Sequence, residues 1–168
     1  MASKLSSIPT GTNILIDANI FVYGLTAKSA ECVSFLNRCS TEEVYGITLF
    51  EVVHEATHEF MRAEGRTKGL YTDVKKAAKY LMSHPDEVKK LTGYWTNTKR
   101  LLSLNIVFLP MEMDIVRGAQ TERVSAGLLT NDSVIVAAMR EYGISHIATS
   151  DKAFDSIVGI SAFAPADI

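Results

Sequence analysis

Residues 13–24 read NILIDANIFVYG, an apolar run interrupted at Asp17 after Ile14, Leu15 and Ile16. Continuous rather than alternating apolar residues fit a strand covered on both faces, as in a parallel sheet. A carboxylate that closes such a strand stands where open α/β sheets bind ligands, beyond the carboxyl ends of the strands. Working outward, the arrangement recurs. VYGITLF (44–50) is a second β-branched and aromatic run, and Glu51 follows it. NIVFLP (105–110) is a third, ended by its proline; HIAT (146–149) is a fourth, with Asp151 two residues on; a last strand lies around ISAFA (160–164).

Between these runs the period changes. In SAECVSFLNRC (29–39), Cys32, Val33, Phe35, Leu36 and Cys39 fall at helical spacing. Further helices are predicted from about Glu51, near 112–126 and near 132–142. Residues 66–104 predict two polar helices broken around SHPDE, where Ser83 or Asp86 can cap a start. Short apolar strands alternating with helices define an α/β fold with a mainly parallel sheet.

At 168 residues the chain is expected to form one domain, 1–168, with residues 1–11 as a short flexible leader. A hydrophobic content of 47% with 21% charged residues is that of an ordered globular protein and argues against disorder. No apolar run approaches the ~20 residues that span a bilayer, and MASKLSSIPTG lacks a signal-peptide core. A cytoplasmic protein without a membrane partner is therefore expected. Cys32 and Cys39 lie two helical turns apart, about 10 Å between Cα atoms, too far for a disulfide. They are expected as buried thiols that pack like small hydrophobes.

The net charge of −2 conceals an uneven distribution. Between Arg62 and Arg100 lie ten of the 17 Lys and Arg but only four of the 19 acids, a local surplus of six positive charges. A basic segment on an acidic body suits a polyanionic partner. Lys75, Lys76, Lys79, Lys89, Lys90, Lys99 and Arg100 are the candidate contacts to such a partner. A solvated face serving solubility or an acidic partner is the competing reading.

The segment EVVHEATHEFM (51–61) contains a literal H-E-x-x-H match, His54-Glu55-Ala56-Thr57-His58. A zinc protease needs both histidines turned inward toward a third ligand. At roughly 100° per residue, Val52, Val53, Ala56, Phe60 and Ala63 form the core-facing arc, and both histidines fall about opposite it. The extended pattern would place Gly at 61 and His at 64, where this chain has Met61 and Glu64. The match therefore reads as a pair of solvent-facing histidines.

Asp132 raises a different question. It falls within the apolar arc of its helix, among Val134, Ile135, Val136, Ala138, Met139 and Tyr142. A carboxylate there is costly unless it is paired, hydrogen-bonded or metal-bound, although Asn131 or Asp132 could equally cap the helix. The order of motifs shifts the balance. LIDANIFVY, TLFEVVHE, GLLTNDSVIVAAM and HIATSDKAF each place an acid at a strand end or helix start. Together they resemble the signatures of the PIN-domain family of metal-dependent ribonucleases, including the VapC-type toxins of toxin–antitoxin pairs. The resemblance covers roughly residues 12–63 and 105–165 and implies a three-layer α/β/α sandwich with a helical insert near 64–104.

It also implies an acidic site of Asp17, Glu51, Asp132 and Asp151, with Asn19 and Thr149 orienting waters or carboxylates. Asp155, one turn past Asp151, is an optional fifth acid or a solvated residue. Clustered carboxylates repel one another, which calls for a hard dication, Mg²⁺ or Mn²⁺. Asp17 and Asp132 are the expected principal ligands, with Glu51 and Asp151 completing the site directly or through water. Such an ion activates water for in-line attack on a phosphodiester. RNA cleavage to 5′-phosphate and 3′-hydroxyl ends, an antitoxin partner and a homodimer are what the resemblance implies. Two other readings compete. A haloacid-dehalogenase-like phosphatase would want a second Asp where Asn19 stands, and a non-catalytic RNA- or protein-binding module would carry the fold without the cutting.

Overall fold

The computed structural model describes residues 2–168. Six strands form one sheet: β1 (Ser3–Lys4), β2 (Asn13–Ile16), β3 (Tyr45–Leu49), β4 (Val107–Leu109), β5 (His146–Ala148) and β6 (Ser161–Ala164). Their order is β1-β6-β5-β2-β3-β4, and every pair is parallel. The chain moves from β2 through β3 to β4 on one side, then crosses over to β5 on the other side of β2. Leu15 pairs with Ile147 and Ile16 with Ala148 across that join. The point where strand order reverses is thus at the carboxyl ends of β2 and β5, which is where α/β sheets open a crevice.

Among the described residues, eight α-helices surround the sheet: α1 (Ala18–Leu25), α2 (Ala30–Ser40), α3 (Phe50–Thr67), α4 (Ala77–Ser83), α5 (Pro85–Val88), α6 (Gly93–Leu102), α7 (Met113–Ala126) and α8 (Thr130–Glu141). α1 packs on α2 and α3, α3 on α6, and α7 on α8. Right-handed crossovers that run in opposite directions along the sheet put these two groups on opposite faces. The result is a three-layer α/β/α sandwich. Its core is continuous, with Ile14, Leu15, Ile16, Ile20, Phe21, Phe35 and Phe60 almost wholly buried. Cys32 and Cys39 are free and buried in it, and burial pushes their thiols up to about 11 and about 12. Among the described residues, no helix is long and apolar enough to cross a membrane.

Three elements depart from expectation. The leader is not loose: β1 adds an edge strand to β6, and Leu5 and Ile8 are buried around a 3₁₀ turn. The Arg38 guanidinium donates to the carbonyls of Leu5 and Ile8, at 3.4 and 2.6 Å. Two isolated apolar residues among serines make no periodic pattern, so nothing local announces this anchoring. Helix α1 begins directly after Asp17. Its sequence, ANIFVYGL, is apolar nearly all round and shows no amphipathic period, so no helix is predicted after the strand that ends at Asp17. The insert holds α4, α5 and α6 after a short 3₁₀ turn rather than two helices, because Pro85 starts a new turn at the first position of α5.

The insert is fastened to the body by Glu64 of α3. Its carboxylate accepts from the backbone N–H groups of Thr92 (3.0 Å) and Tyr94 (2.8 Å) at the start of α6, and Lys68 pairs with it at 2.9 Å. A Cβ on Gly93 would come within 3.2 Å of that carboxyl carbon, so the close approach favours glycine here. Thr98 and Leu101 then bury the inner face of α6.

Candidate active site

Asp17 stands at the switch point. Its backbone N–H continues the ladder by donating to Ala148 (3.1 Å), and its side chain caps α1, accepting from Ala18 N at 2.6 Å. The other carboxylate oxygen accepts from the Thr149 hydroxyl at 2.6 Å and from the Asn19 amide. Thr149, buried at the end of β5, accepts in turn from Asn19 Nδ2 (3.2 Å) and from the Asp151 N–H (2.9 Å). The Asn19 carbonyl accepts from Ser150 N at 3.0 Å. These bonds tie the first turn of α1 to the loop after β5, residues about 130 apart in sequence. Asp151 begins the following 3₁₀ turn and accepts from Ala153 N at 2.8 Å.

A cleft of about 430 Å³ opens in front of this network. Asp17, Asn19 and Asp151 line it from the sheet side, Asp132 from α8, and Glu55 and Glu59 from α3. The acids sense one another. Burial pushes Asp17 up to about 6 against the favourable hydrogen bonds of Thr149 and Ala18, and the charges of Glu55 and Asp132 raise it further. Asp132 is raised by burial and then by Asp151; Glu55 is raised by burial, although Asn131 opposes this, and again by Asp132. Asp132 does not cap its helix. The cap position is Leu129, so Asp132 lies in the first turn with its side chain directed to the cleft.

Four of the expected site residues, Asp17, Asn19, Asp132 and Asp151, therefore line one cleft, with Thr149 bonded behind Asp17. Glu51 does not. It is exposed at the start of α3 and faces neighbouring depressions, while Glu55, one turn on, lines the cleft and accepts from Asn131 Nδ2 at 3.2 Å. Helix phase gives the reason. Glu55 and Glu59 lie roughly 40° and 80° round from Glu51 toward the buried arc that begins at Val52, so they lie nearer the rim where helix meets sheet. That calculation needs only the sequence and would have found Glu55. Asp155 is exposed and outside the lining.

The H-E-x-x-H stretch thus divides. His54 and His58 are exposed and line a neighbouring depression that shares Glu55 and Glu59 with the acidic cleft, but neither histidine lines the cleft itself. The predicted RNA contacts lie elsewhere. None of Lys75, Lys76, Lys79, Lys89, Lys90, Lys99 or Arg100 lines the cleft; Lys89 and Lys90 pair with Asp86 and Glu87, and Arg100 donates to the Leu25 carbonyl. The cations that do line it are Lys28, Arg62 and Arg66. Spacing could not reveal them, because Lys28 reaches the cleft from the loop after α1.

The donor set is all oxygen, which suits a hard cation rather than zinc. In the side-chain positions seen here, no three His, Cys, Asp or Glu among the described residues converge tightly enough to ligate one ion. A carboxylate raised first by burial and then by its acidic neighbours is nonetheless the electrostatic setting that a dication relieves, and Asp17, Asp132, Glu55 and Asp151 fit that role.

Sheet order and cleft together define a parallel α/β protein whose acids gather at the switch point. The PIN domain family matches residues 14–160, and the chain belongs to that family. No curated protein matches it in sequence at a significant level. Solved structures share its fold at low identity. The VapBC2 structure of Rickettsia felis, bound to a DNA fragment from their promoter, has TM-score 0.56 at 13% identity over 91% of this chain and 98% of that one. A toxin–antitoxin complex from Klebsiella pneumoniae has TM-score 0.56 at 15% identity, covering 88% and 94%. VapC20 of Mycobacterium tuberculosis, a sarcin–ricin-loop-cleaving toxin, has TM-score 0.56 at 14% identity, covering 88% and 98%.

Proposed function

We propose that the protein is a Mg²⁺- or Mn²⁺-dependent endoribonuclease and the toxin of a toxin–antitoxin pair. The observation that carries this reading is the convergence of Asp17, Glu55, Asp132 and Asp151 on one cleft at the switch point of the sheet. Family membership supports a nuclease, and the toxin–antitoxin structures that share the fold support an RNA substrate and an antitoxin partner.

Asp17 and Asp132 would hold the ion, with Glu55 in the place expected of Glu51 and Asp151 completing the set. A bound dication would supply Lewis acidity and a water of lowered pKa. The chain's own contribution is positioning. Both oxygens of Asp17 are fixed by hydrogen bonds, so the carboxylate presents one orientation. Asn131 directs Glu55 toward α8. Lys28, Arg62 and Arg66 on the same rim attract a phosphate backbone that the acids alone would repel. Products should carry 5′-phosphate and 3′-hydroxyl ends.

The test is cleavage of a mixed RNA pool with Mg²⁺ or Mn²⁺, and again with excess chelator. Chelation, or Asp132→Asn, should lower cleavage about 100-fold or more. Either ion should also raise the melting temperature of the wild-type protein and do so less in Asp132→Asn. Full cleavage by Asp132→Asn would refute the assignment. RNA binding without products under all metals would favour the non-catalytic module.

A further inference from the structure

A second depression, about 540 Å³, adjoins the acidic cleft, and Lys28, Ala63 and Arg66 line both. Its floor is Phe60, almost wholly buried, and its far wall is the first half of α6, with Tyr94 and Asn97. It also contains one acid, Glu64, whose charge is already met by Lys68 and by the α6 backbone. The two depressions therefore differ in charge. One gathers five carboxylates; the other is bordered by two exposed cations, an aromatic ring and a side-chain amide.

Resting on the ribonuclease reading, we infer that this second depression is a subsite for an unpaired nucleotide of the RNA strand, one step along from the scissile phosphate. The half-buried Tyr94 ring packs against the core on one side and borders the depression on the other, where it offers a stacking surface; this serves single strands because only unpaired bases expose their faces. Lys28 and Arg66, at the junction, meet the phosphate between the two nucleotides. Both residues are exposed and line both depressions, so their charges face an incoming phosphate. Asn97 offers an amide to a base edge, although its carbonyl oxygen also sits 3.5 Å from Arg100 Nη1. The insert's role is then to build this wall through Glu64 and α6, rather than to hold RNA with its outer lysines.

The experiment measures binding of the full chain to a labelled single-stranded RNA of about 12 nucleotides, in chelator so that nothing is cut, over a salt series. Lys28→Ala with Arg66→Ala should weaken binding about 10-fold and flatten the log–log salt slope by about 1.4. Tyr94→Ala should weaken it about 10-fold with the salt slope unchanged, and Tyr94→Phe should restore it. Lys75→Ala, Lys76→Ala and Lys79→Ala combined should bind as wild type. Cleavage in Mg²⁺ is scored separately. Weakened binding in the first two variants supports the subsite even if no product ever appears, in which case the nuclease reading alone fails. Wild-type affinity in both variants, absence of RNA binding, or equal affinity for a duplex of the same sequence overturns the subsite.

Discussion

The two walls of the acidic cleft are built by different means. On the sheet side, Asp17, Asn19, Thr149 and the loop to Asp151 form a closed hydrogen-bond network at the ends of adjacent strands. On the helix side, Glu55 and Asp132 project from α3 and α8, with one hydrogen bond, from Asn131, directing Glu55. Strand ends set the first wall to within one residue, because the backbone ladder positions Asp17 and Thr149 directly. The second wall depends on the rotation of a helix, where one turn more or less selects a different glutamate. A rigid wall orients, and a wall of longer side chains adapts.

The sharpest way to break this comparison is to exchange the glutamates. Glu55→Gln removes a charge from the cleft and should lower RNA cleavage about 10- to 100-fold, whereas Glu51→Gln should change it less than about twofold. Steady-state cleavage of one defined RNA by the two variants decides it. The reverse ranking would return the site to Glu51 and mean that α3 rotates when the ion binds.

Thr149→Val probes the rigid wall. It keeps the shape but removes the donor to Asp17 and the acceptor for the Asp151 N–H. The expected loss is about 10-fold in cleavage and about 1–2 kcal/mol in stability. Thr149→Ser, which keeps the hydroxyl, should recover most of both. If Thr149→Val and Thr149→Ser behave alike, the network contributes packing and not orientation.

What the sequence made legible follows the same division. The parallel order, the acids after β2 and β5, and Asp132 in the first turn of α8 could be read because strand ends and helix starts leave local marks. Glu51 stands out in the sequence because it follows a strand directly. In the structure Glu55 of α3, one turn on, lines the cleft in its place, because it faces the rim. The anchoring of the leader through Leu5, Ile8 and Arg38 is tertiary and has no local signature. The same holds for Lys28, which reaches the cleft from a loop while the conspicuous lysines of the insert point elsewhere.

The attachment of the insert carries a pH signature. Burial pushes Glu64 up, but Lys68 and the backbone N–H groups of Tyr94, Thr92 and Gly93 outweigh this and bring it down to about 2. A lowered carboxyl pKa stabilises the fold fully above its ordinary value of 4.5, and this contribution is lost as pH falls from there toward 2. Glu64→Gln should therefore cost about 1–2 kcal/mol near neutrality, and the difference from wild type should shrink below about pH 4. Urea midpoints at several pH values would show it. A difference independent of pH would assign the effect to packing.

The smallest effect is expected at the most conspicuous motif. His54 and His58 are exposed, and neither lines the acidic cleft, so His54→Ala with His58→Ala should leave RNA cleavage within about twofold of wild type. The prediction has content because Glu55 sits between them and is expected to matter. Substitutions at these three positions of one helix should thus separate cleanly, the glutamate costing activity and the histidines nothing. Elemental analysis provides the second measurement. Two histidines on an exposed helix face, without a third converging donor, should not retain stoichiometric zinc through dialysis. Zinc that co-purifies with the wild-type protein and disappears in the double variant would instead place a second, softer metal beside the cleft. Glu55 would then be held by two competing demands, and the division between the two walls would no longer hold.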